Sequence, residues 1–180
     1  MITVEKLNAG YRRLQVLFEV SASFQVGKIN VIVGPNGSGK STLLKSIFGL
    51  TSIYSGTVKF DGVELVGKSP HEIARLGIAY LPQLNKVFEN LTVEENLVMA
   101  GYMLEKNRLR EKIREVIQIF PIIEKYRRVK AGLLSGGERQ IIATAMALIK
   151  EPKVMMFDEP TSELAPKMAK SVIEKIVELR

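Results

Sequence analysis

The segment from Gly34 to Thr42 constrains the fold of this chain more than any other stretch. It fills the pattern G-x-x-x-x-G-K-[ST] between Gly34 and Ser41, directly after the β-branched run Val31 to Val33. Apolar residues resume behind it at helical spacing, at Leu43, Leu44, Ile47 and Phe48. This order predicts a strand, a glycine-rich loop and a helix, and the alternative is an ordinary glycine-rich turn in front of a buried helix.

Glycines in such a loop suit the binding of phosphate. They let the backbone adopt positive φ and approach a ligand closely, so that successive N–H groups converge on phosphate oxygens. These donors stand at a helix N-terminus, which carries about half a positive charge. In this pattern Lys40 reaches the β- and γ-phosphates and Ser41 holds Mg²⁺. We therefore predict that a nucleoside triphosphate is bound by Gly34, Pro35, Asn36, Gly37, Ser38, Gly39, Lys40, Ser41 and Thr42.

The composition limits the class of protein. A chain of 180 residues is long enough for one domain that buries roughly 70% of its unfolded surface. It has no cysteine, which suits a reducing cytosol and excludes a disulfide framework. No signal peptide and no apolar run of the roughly 20 residues needed for a membrane span is visible, so we expect a soluble chain. The formal net charge of +7 permits nucleic acid or an anionic membrane as a neighbour, but acids are interspersed among the bases, which favours solvated helix faces.

Short β-like pieces fill the beginning of the chain. Residues 1–28 alternate in a way that predicts an antiparallel flap, and residues 55–65 predict a hairpin around an Asp-Gly turn. Ser69 to Glu72 has the pattern of a capped helix start, which explains the single histidine, His71, without a catalytic role. Ile78 to Leu81 is typical of a short buried strand.

Helical periodicity dominates the middle of the chain. We expect one helix capped by Thr92 and a second from Leu109 to Phe120, inserted into an α/β core. A third, apolar helix is predicted from Ile141 to Ile149. The serine and two glycines ahead of it fit either an anion-binding helix start or an ordinary capped helix.

Two adjacent acids end the next predicted strand. Lys153 to Phe157 is apolar enough to be buried, and Asp158 and Glu159 follow at its carboxyl end, where ligands gather in open α/β sheets. Paired acids at such a place are costly unless a cation or a reacting group uses them. The spacing after Pro166 predicts a final helix.

Three separated motifs thus occur in one order: Gly34 to Thr42, Leu134 to Gln140 and Val154 to Pro160. Together they resemble the nucleotide-binding subunit of ABC transporters, over essentially the whole chain. The resemblance implies an ATPase with an α/β P-loop NTPase fold. In this fold a RecA-like core sheet carries an N-terminal antiparallel β subdomain and an inserted helical subdomain.

The resemblance also implies a domain plan. Residues 1–180 are expected to form a single ABC nucleotide-binding domain. Residues 1–86 and 141–180 would form its β and core part, and residues 87–140 the helical subdomain with the signature loop.

The resemblance gives roles to individual residues. Tyr11 matches the aromatic position that stacks on adenine, and Gln83 matches the glutamine that meets Mg²⁺ where the transmembrane partner docks. Asp158 matches the Walker B aspartate that supports Mg²⁺, and Glu159 matches the general base that polarises the attacking water. With Lys40, Glu159 and Gln83 form the implied catalytic set, and the implied Mg²⁺ ligands are Ser41, Gln83 and Asp158.

The signature loop matches Ser135, Gly136 and Gly137, which in the family contact the γ-phosphate held by the other subunit. The implied assembly is therefore a head-to-tail dimer, with an identical or a sister ATPase subunit, on transmembrane permease subunits. Such a subunit would lie on the inner face of the cell membrane, with an indirect link to a substrate-binding protein and no direct contact with nucleic acid.

Finer similarity points to branched-chain amino-acid importers. The run Val87 to Leu97 and the later Leu164-Ala165-Pro166 are similar to their ATPase subunits, although urea importers and lipopolysaccharide exporters share parts of the pattern. Glu163 and Met146 depart from the residues usual in the family. Members also continue past Arg180 into another strand and a switch histidine, so the 180 residues are interpreted as a truncated portion of a subunit.

Two other functional classes remain open from the sequence. One is a soluble ABC ATPase that acts on ribosomes or DNA without a membrane partner, which the basic charge would suit. The other is a nucleotide-binding fragment with no activity of its own.

Overall fold

The structure is a computed structural model that describes residues 1–25, 27–84, 86–162 and 166–178, with the backbone alone at 167, 168, 171 and 175. The predictions that concern residues 163–165 lie outside the described residues. The described chain forms two compact units, residues 1–80 and residues 81–178.

The first unit is built on an antiparallel sheet of four strands. In chain order they are β1 (Ile2–Tyr11), β2 (Leu14–Phe24), β3 (Ser52–Phe60) and β4 (Val63–Glu64), and their order in the sheet is β2-β1-β3-β4. β1 is an inner strand that pairs with both β2 and β3. Ile2 lies opposite Phe24 of β2 on one side and opposite Phe60 of β3 on the other. The predicted flap and the predicted hairpin are both confirmed. The Asp-Gly turn of the hairpin has φ of 47° and 81°, as tight β-hairpin turns require.

Two helices complete this unit, α1 (Lys40–Ile47) and α2 (Pro70–Arg75). Buried side chains of β1 and β3, among them Leu7 and Val58, share the core with Leu43 and Ile47 of α1. α2 begins with the predicted capping box, in which the side chain of Glu72 accepts hydrogen bonds from the backbone and hydroxyl of Ser69. The sheet therefore fixes the direction in which α1, and the loop before it, are presented.

The predicted strand in front of the glycine-rich loop is wrong. Residues 28–35 belong to neither of the described sheets, and the side chains of Val31 and Val33 are 75% and 87% exposed. β-Branched residues favour strands only where a neighbouring strand supplies backbone partners and a packed face. β1 already pairs on both sides, so it offers no free edge to this segment.

The second unit is mostly helical. Its elements are the end of β5 (Ile78–Leu81), then α3 (Val93–Ala100), α4 (Lys106–Ile119), α5 (Ile122–Tyr126), a 3₁₀ turn (Ala131–Leu133), α6 (Gly136–Ile149), β6 (Val154–Phe157) and α7 (Pro166–Glu178). The predicted helices, and the predicted strands β5 and β6, are confirmed. α6 begins five residues earlier than predicted, directly after Ser135.

α3, α4 and α6 share one apolar core. Leu97 of α3, Val116 of α4 and Ile142 and Ile149 of α6 are each at most 2% exposed. α3 starts with a complete capping box between Thr92 and Glu95, as its sequence predicts. Because this core contacts α6 along its length, it determines where the N-terminus of α6 lies within the unit.

Ion pairs connect α4 to Glu151, two residues beyond the end of α6. Glu151 accepts from Arg108 at 2.7 Å and from Lys112 at 2.6 Å. Lys112 also contacts Glu115 at 2.6 Å, and only 10% of its side chain is exposed. A largely buried ammonium group between two carboxylates is satisfied on both sides, so α4 and the end of α6 are held together by charge as well as by packing.

Candidate functional site

The glycine-rich loop leads into an open helix N-terminus in the first unit. α1 starts at Lys40, and its N-cap residue is Gly39, which has no side chain with which to cap the helix. The first turn contains no acidic residue. The first N–H groups of a helix have no partner within it, so this end presents donors and partial positive charge.

Lys40 lies over this loop rather than away from it. Its Nζ donates to the backbone oxygen of Gly34 at 3.0 Å and to that of Pro35 at 2.9 Å. The ammonium group is therefore held beside the loop by weak neutral acceptors. A phosphate oxygen would be a stronger, charged acceptor at the same place.

Gly39 is required by both conformation and space. Its φ is +92°, and an added Cβ would lie 2.7 Å from Cδ2 of Leu17, a buried residue of β2. β2 thus packs directly against the loop backbone. Gly37, with φ +79°, also has left-handed backbone, but a Cβ there would meet nothing within 4 Å.

Tyr11 lies at the end of β1 and is 40% exposed. Lys45 of α1 places its Nζ 6.0 Å from the centre of the Tyr11 ring. Lys45 is one helical turn beyond Ser41, so the first unit brings the predicted adenine platform close to the helix that follows the loop. The role of Tyr11 in stacking on a base stays a prediction.

The two glycines make a matched pair of tests. We expect Gly39→Ala to lower the free energy of unfolding by about 2–4 kcal/mol, because it adds overpacking against Leu17 to the cost of left-handed backbone. Gly37→Ala should cost only about 1–2 kcal/mol, the backbone term alone. Urea unfolding followed by circular dichroism measures both, and equal losses would contradict the close packing of β2 on the loop.

The two adjacent acids lie at the end of β6 in the second unit. The backbone N–H of Asp158 donates to the oxygen of Leu81, the last residue of β5, at 3.0 Å, and Asp158 is only 5% exposed. Glu159 is exposed and has φ of 47°, an uncommon conformation for a residue with a side chain. The N–H and hydroxyl of Ser162 both donate to the backbone oxygen of Glu159, at 3.1 and 3.0 Å, and so stabilise this turn.

Gln83 contacts the second of these acids. Its Nε2 donates to Oε2 of Glu159 at 3.0 Å and to Oγ of Ser162 at 3.3 Å. The amide oxygen of Gln83 is the atom of this side chain that is able to bind a cation. The structure therefore brings together two residues that lie 76 positions apart and that the sequence predicts to act in one reaction. The contact with Ser162 was not predicted.

Ser135 is the N-cap residue of α6. Its Oγ accepts from the N–H of Glu138 at 3.4 Å and donates to Oε2 of Glu138, and its own N–H donates to the same carboxylate, both at 2.8 Å. Gly137 is buried and Gly136 half-buried. The S-x-x-E spacing of this capping box is visible in the sequence but was not part of the prediction. Both sequence interpretations fit this geometry, since a capped helix start still presents N–H groups.

The capping box sets the charge state of Glu138. Burial alone would raise the pKa of this carboxyl, but hydrogen bonds from the backbone and hydroxyl of Ser135 lower it below its ordinary value. A lowered folded-state pKa stabilises the fold above the unfolded-state pKa, and this contribution disappears as the pH falls through the folded-state value.

We expect Glu138→Gln to show this dependence. Glutamine keeps the capping geometry but cannot ionise, so wild type should be more stable than the variant at pH 7, and the difference should shrink when the pH is lowered to about 3. Urea unfolding at both pH values measures the difference. Glu5→Gln, on the exposed side of β1, is the control, and a gap that stays constant with pH would contradict the assignment.

The residues present suit a nucleotide with Mg²⁺. The helix N-terminus with Lys40 suits phosphate, and the predicted metal ligands offer a hydroxyl, an amide oxygen and a carboxylate, the hard oxygen donors that Mg²⁺ prefers. Within the described ranges no three histidine, cysteine, aspartate or glutamate side chains cluster as a metal site. The donor set thus fits Mg²⁺ shared with a phosphate better than a cage made only of protein ligands.

None of the described helices combines the length and apolarity that a bilayer-spanning segment needs.

The chain is similar to known proteins along most or all of its length. The family model described as ABC transporter matches residues 17–162. The chain is 49% identical to the probable branched-chain amino acid transport ATP-binding protein LivF of Archaeoglobus fulgidus, over the whole chain and 76% of that protein. It is 38% identical to the high-affinity branched-chain amino acid transport ATP-binding protein BraG of Pseudomonas aeruginosa, over the whole chain and 77% of that protein.

A solved structure is similar as well. It is the dimeric, post-hydrolysis state of an ATP-binding cassette bound to ADP and Pi, which is 25% identical with a TM-score of 0.86, over 99% of this chain and 82% of that one. The chain therefore spans about three quarters of the length of the relatives that it matches. These relatives give no support to an ATPase directed at ribosomes or DNA.

Proposed function

Because the chain belongs to the ABC transporter family and is an ATPase of that family, we propose that it powers the import of branched-chain amino acids. The observation that carries this proposal is the 49% identity with an ATP-binding protein of branched-chain amino acid transport over every residue of the chain. The second relative, at 38%, has the same printed substrate class. The expected place of the subunit is the inner face of the membrane, reached through permease subunits.

The site residues divide the chemistry of phosphoryl transfer between them. The transition state is loose, so the protein contributes positioning and charge stabilisation rather than covalent steps. In this proposal the amides around Gly39 and the Nζ of Lys40 stabilise charge on the phosphates, and Tyr11 supports the base. Glu159, oriented by Gln83 and by the turn at Ser162, accepts the proton of the attacking water. Mg²⁺, when bound by Ser41, Gln83 and Asp158, would neutralise phosphate charge.

We propose that two such subunits act as a dimer. Ser135 and the amides of the first turn of α6 would face the phosphate held by the other subunit. A similar cassette is dimeric with ADP and Pi, which supports this arrangement. The second subunit would be an identical or a sister ATPase chain.

We propose that a groove on the helical unit is the docking site for the permease. It has a volume of about 570 Å³ and lies between α3 and α4. Most of its apolar lining comes from one face of α4, because three apolar side chains of this helix recur at intervals of four residues. They are Leu109, Ile113 and Ile117, joined by Val98 of α3.

The same groove is also lined by basic side chains. Lys106, Arg110 and Arg114 lie one turn apart along α4, and all three are exposed. The acid of the lining, Glu94, is bound by Arg127 at 2.6 Å, which leaves the groove positive. An apolar stripe beside a row of cations complements an amphipathic helix with acidic residues, so we assign the groove to a cytoplasmic helix of the permease.

The reaction is tested with the subunit assembled with its permeases in vesicles. We expect ATP-dependent uptake of leucine by the wild type. Glu159→Gln should keep binding MgATP but lose phosphate release by at least about a hundredfold, since the variant lacks the base. Glu89→Gln, on an exposed loop, should behave like wild type.

Undiminished phosphate release by Glu159→Gln would show that Glu159 is not the base. Hydrolysis without leucine uptake would instead remove the substrate assignment and leave the ATPase in place.

The groove is tested by charge reversal. We expect Arg110→Glu with Arg114→Glu to weaken copurification with the permease at least about tenfold, and the wild-type complex to weaken as salt is raised, because the contact is partly electrostatic. Arg75→Glu with Lys125→Glu is the control, since it makes the same change in charge on exposed helix positions outside the groove. Equal copurification of both double variants would contradict the docking site.

A further inference from the structure

Lys86 makes a contact that none of the predicted roles uses. Its Nζ donates to Oε1 of Gln140 at 2.6 Å. Gln140 lies in α6, five residues beyond the N-cap Ser135, and is 1% exposed. A buried amide oxygen needs a donor, and a charged donor makes a stronger hydrogen bond than a neutral one.

The same short segment reaches the candidate base. Gln83, three residues before Lys86, donates to Glu159 at 3.0 Å. Three residues of extended chain span at most about 11 Å, so the Cα atoms of Gln83 and Lys86 cannot be further apart than this. Gln83 and Lys86 therefore contact the acid after β6 and the helix that carries Ser135 at its start, respectively.

α6 is rigid enough to transmit a displacement from Gln140 to its N-terminus. Its turns are fixed by backbone hydrogen bonds, and the hydroxyl of Thr144 donates to the backbone oxygen of Gln140 at 2.8 Å. A shift at Gln140 is thus passed along the rigid helix to Gly136 and Gly137, about one turn away.

We propose that Lys86 is a positioning residue for ATP hydrolysis, which holds the start of α6 in register with the Gln83–Glu159 contact through its bond to Gln140. The proposal rests on the proposed ATPase function and deepens it. Displacements of about 1 Å can reduce an enzymatic rate a hundredfold, so a bond remote from the nucleotide has a measurable kinetic effect.

The test is a double-mutant cycle in the permease assembly, with kcat and KM for ATP measured on Lys86→Met, Gln140→Leu and the double variant. Each single variant should lower kcat about tenfold to a hundredfold, with KM within about twofold, because positioning fails while nucleotide binding remains. The double variant should be no slower than the slower single variant. Lys86→Arg, which keeps the charged donor, should recover most of kcat. Lys150→Met, at the exposed C-cap of the same helix, should match wild type.

A purely structural role predicts a different pattern. It would lower the melting temperature and leave kcat per folded molecule unchanged, and that result overturns the proposal. Multiplying losses in the double variant would also overturn it, since the two side chains would then act independently.

Gln140→Glu keeps an acceptor for Lys86 and decides the question if Lys86→Met does not fold. Its kcat should stay near that of wild type, and a loss as large as that of Gln140→Leu would overturn the proposal. A wild-type assembly that hydrolyses no ATP would refute the proposed function itself.

Discussion

The first unit depends on the close approach of β2 to the loop before α1. Leu17 is buried in the sheet, and its methyl group occupies the space where a side chain at residue 39 would have to lie. Gly39 can accept this contact and a left-handed backbone together, and α1 then begins with donors that no side chain caps. A hydrophobic packing contact is therefore what leaves a polar surface available for phosphate. Gly39 therefore belongs both to the packing of the first unit and to the loop that we propose binds phosphate.

In the second unit, the important feature is the placement of two adjacent acids, Asp158 and Glu159, in different surroundings. Asp158 is buried and anchored by its backbone to the end of β5, whereas Glu159 is turned outwards by an unusual backbone conformation. Ser162 and Gln83 hold the main chain and the carboxylate of Glu159 from different sides. The adjacent acids thus receive different environments from a single turn. This difference suits the division between a metal ligand and a proton acceptor.

Local patterns in the sequence were sufficient to predict many of the helices and turns. Capping patterns at Ser69 and Thr92, the Asp-Gly turn and the helical periodicity of α4 act over a few residues, and the structure contains each of them. The strand expected at Val31 to Val33 failed because strand formation needs a partner that no local pattern reveals.

The same limit applies within the candidate site. The family resemblance predicted roles for Gln83 and Glu159, but not their contact with Ser162 or the bond from Lys86 to Gln140, which joins residues 54 positions apart. The sequence around Lys86 contains no pattern that would identify Gln140 as its hydrogen-bond acceptor. The capping box at Ser135 was within reach, because serine followed three residues later by glutamate is a local pattern.

Glu159 also bears on how this protein could be engineered. Left-handed backbone costs a residue with a Cβ about 1–2 kcal/mol, which glycine would avoid. Any procedure that rewards heat resistance alone, whether laboratory evolution or backbone-based sequence design, is therefore biased towards discarding this carboxylate. Under the proposed role of Glu159 as the base, such a substitution would stabilise the fold and abolish hydrolysis, so codon 159 of heat-resistant variants should be sequenced first.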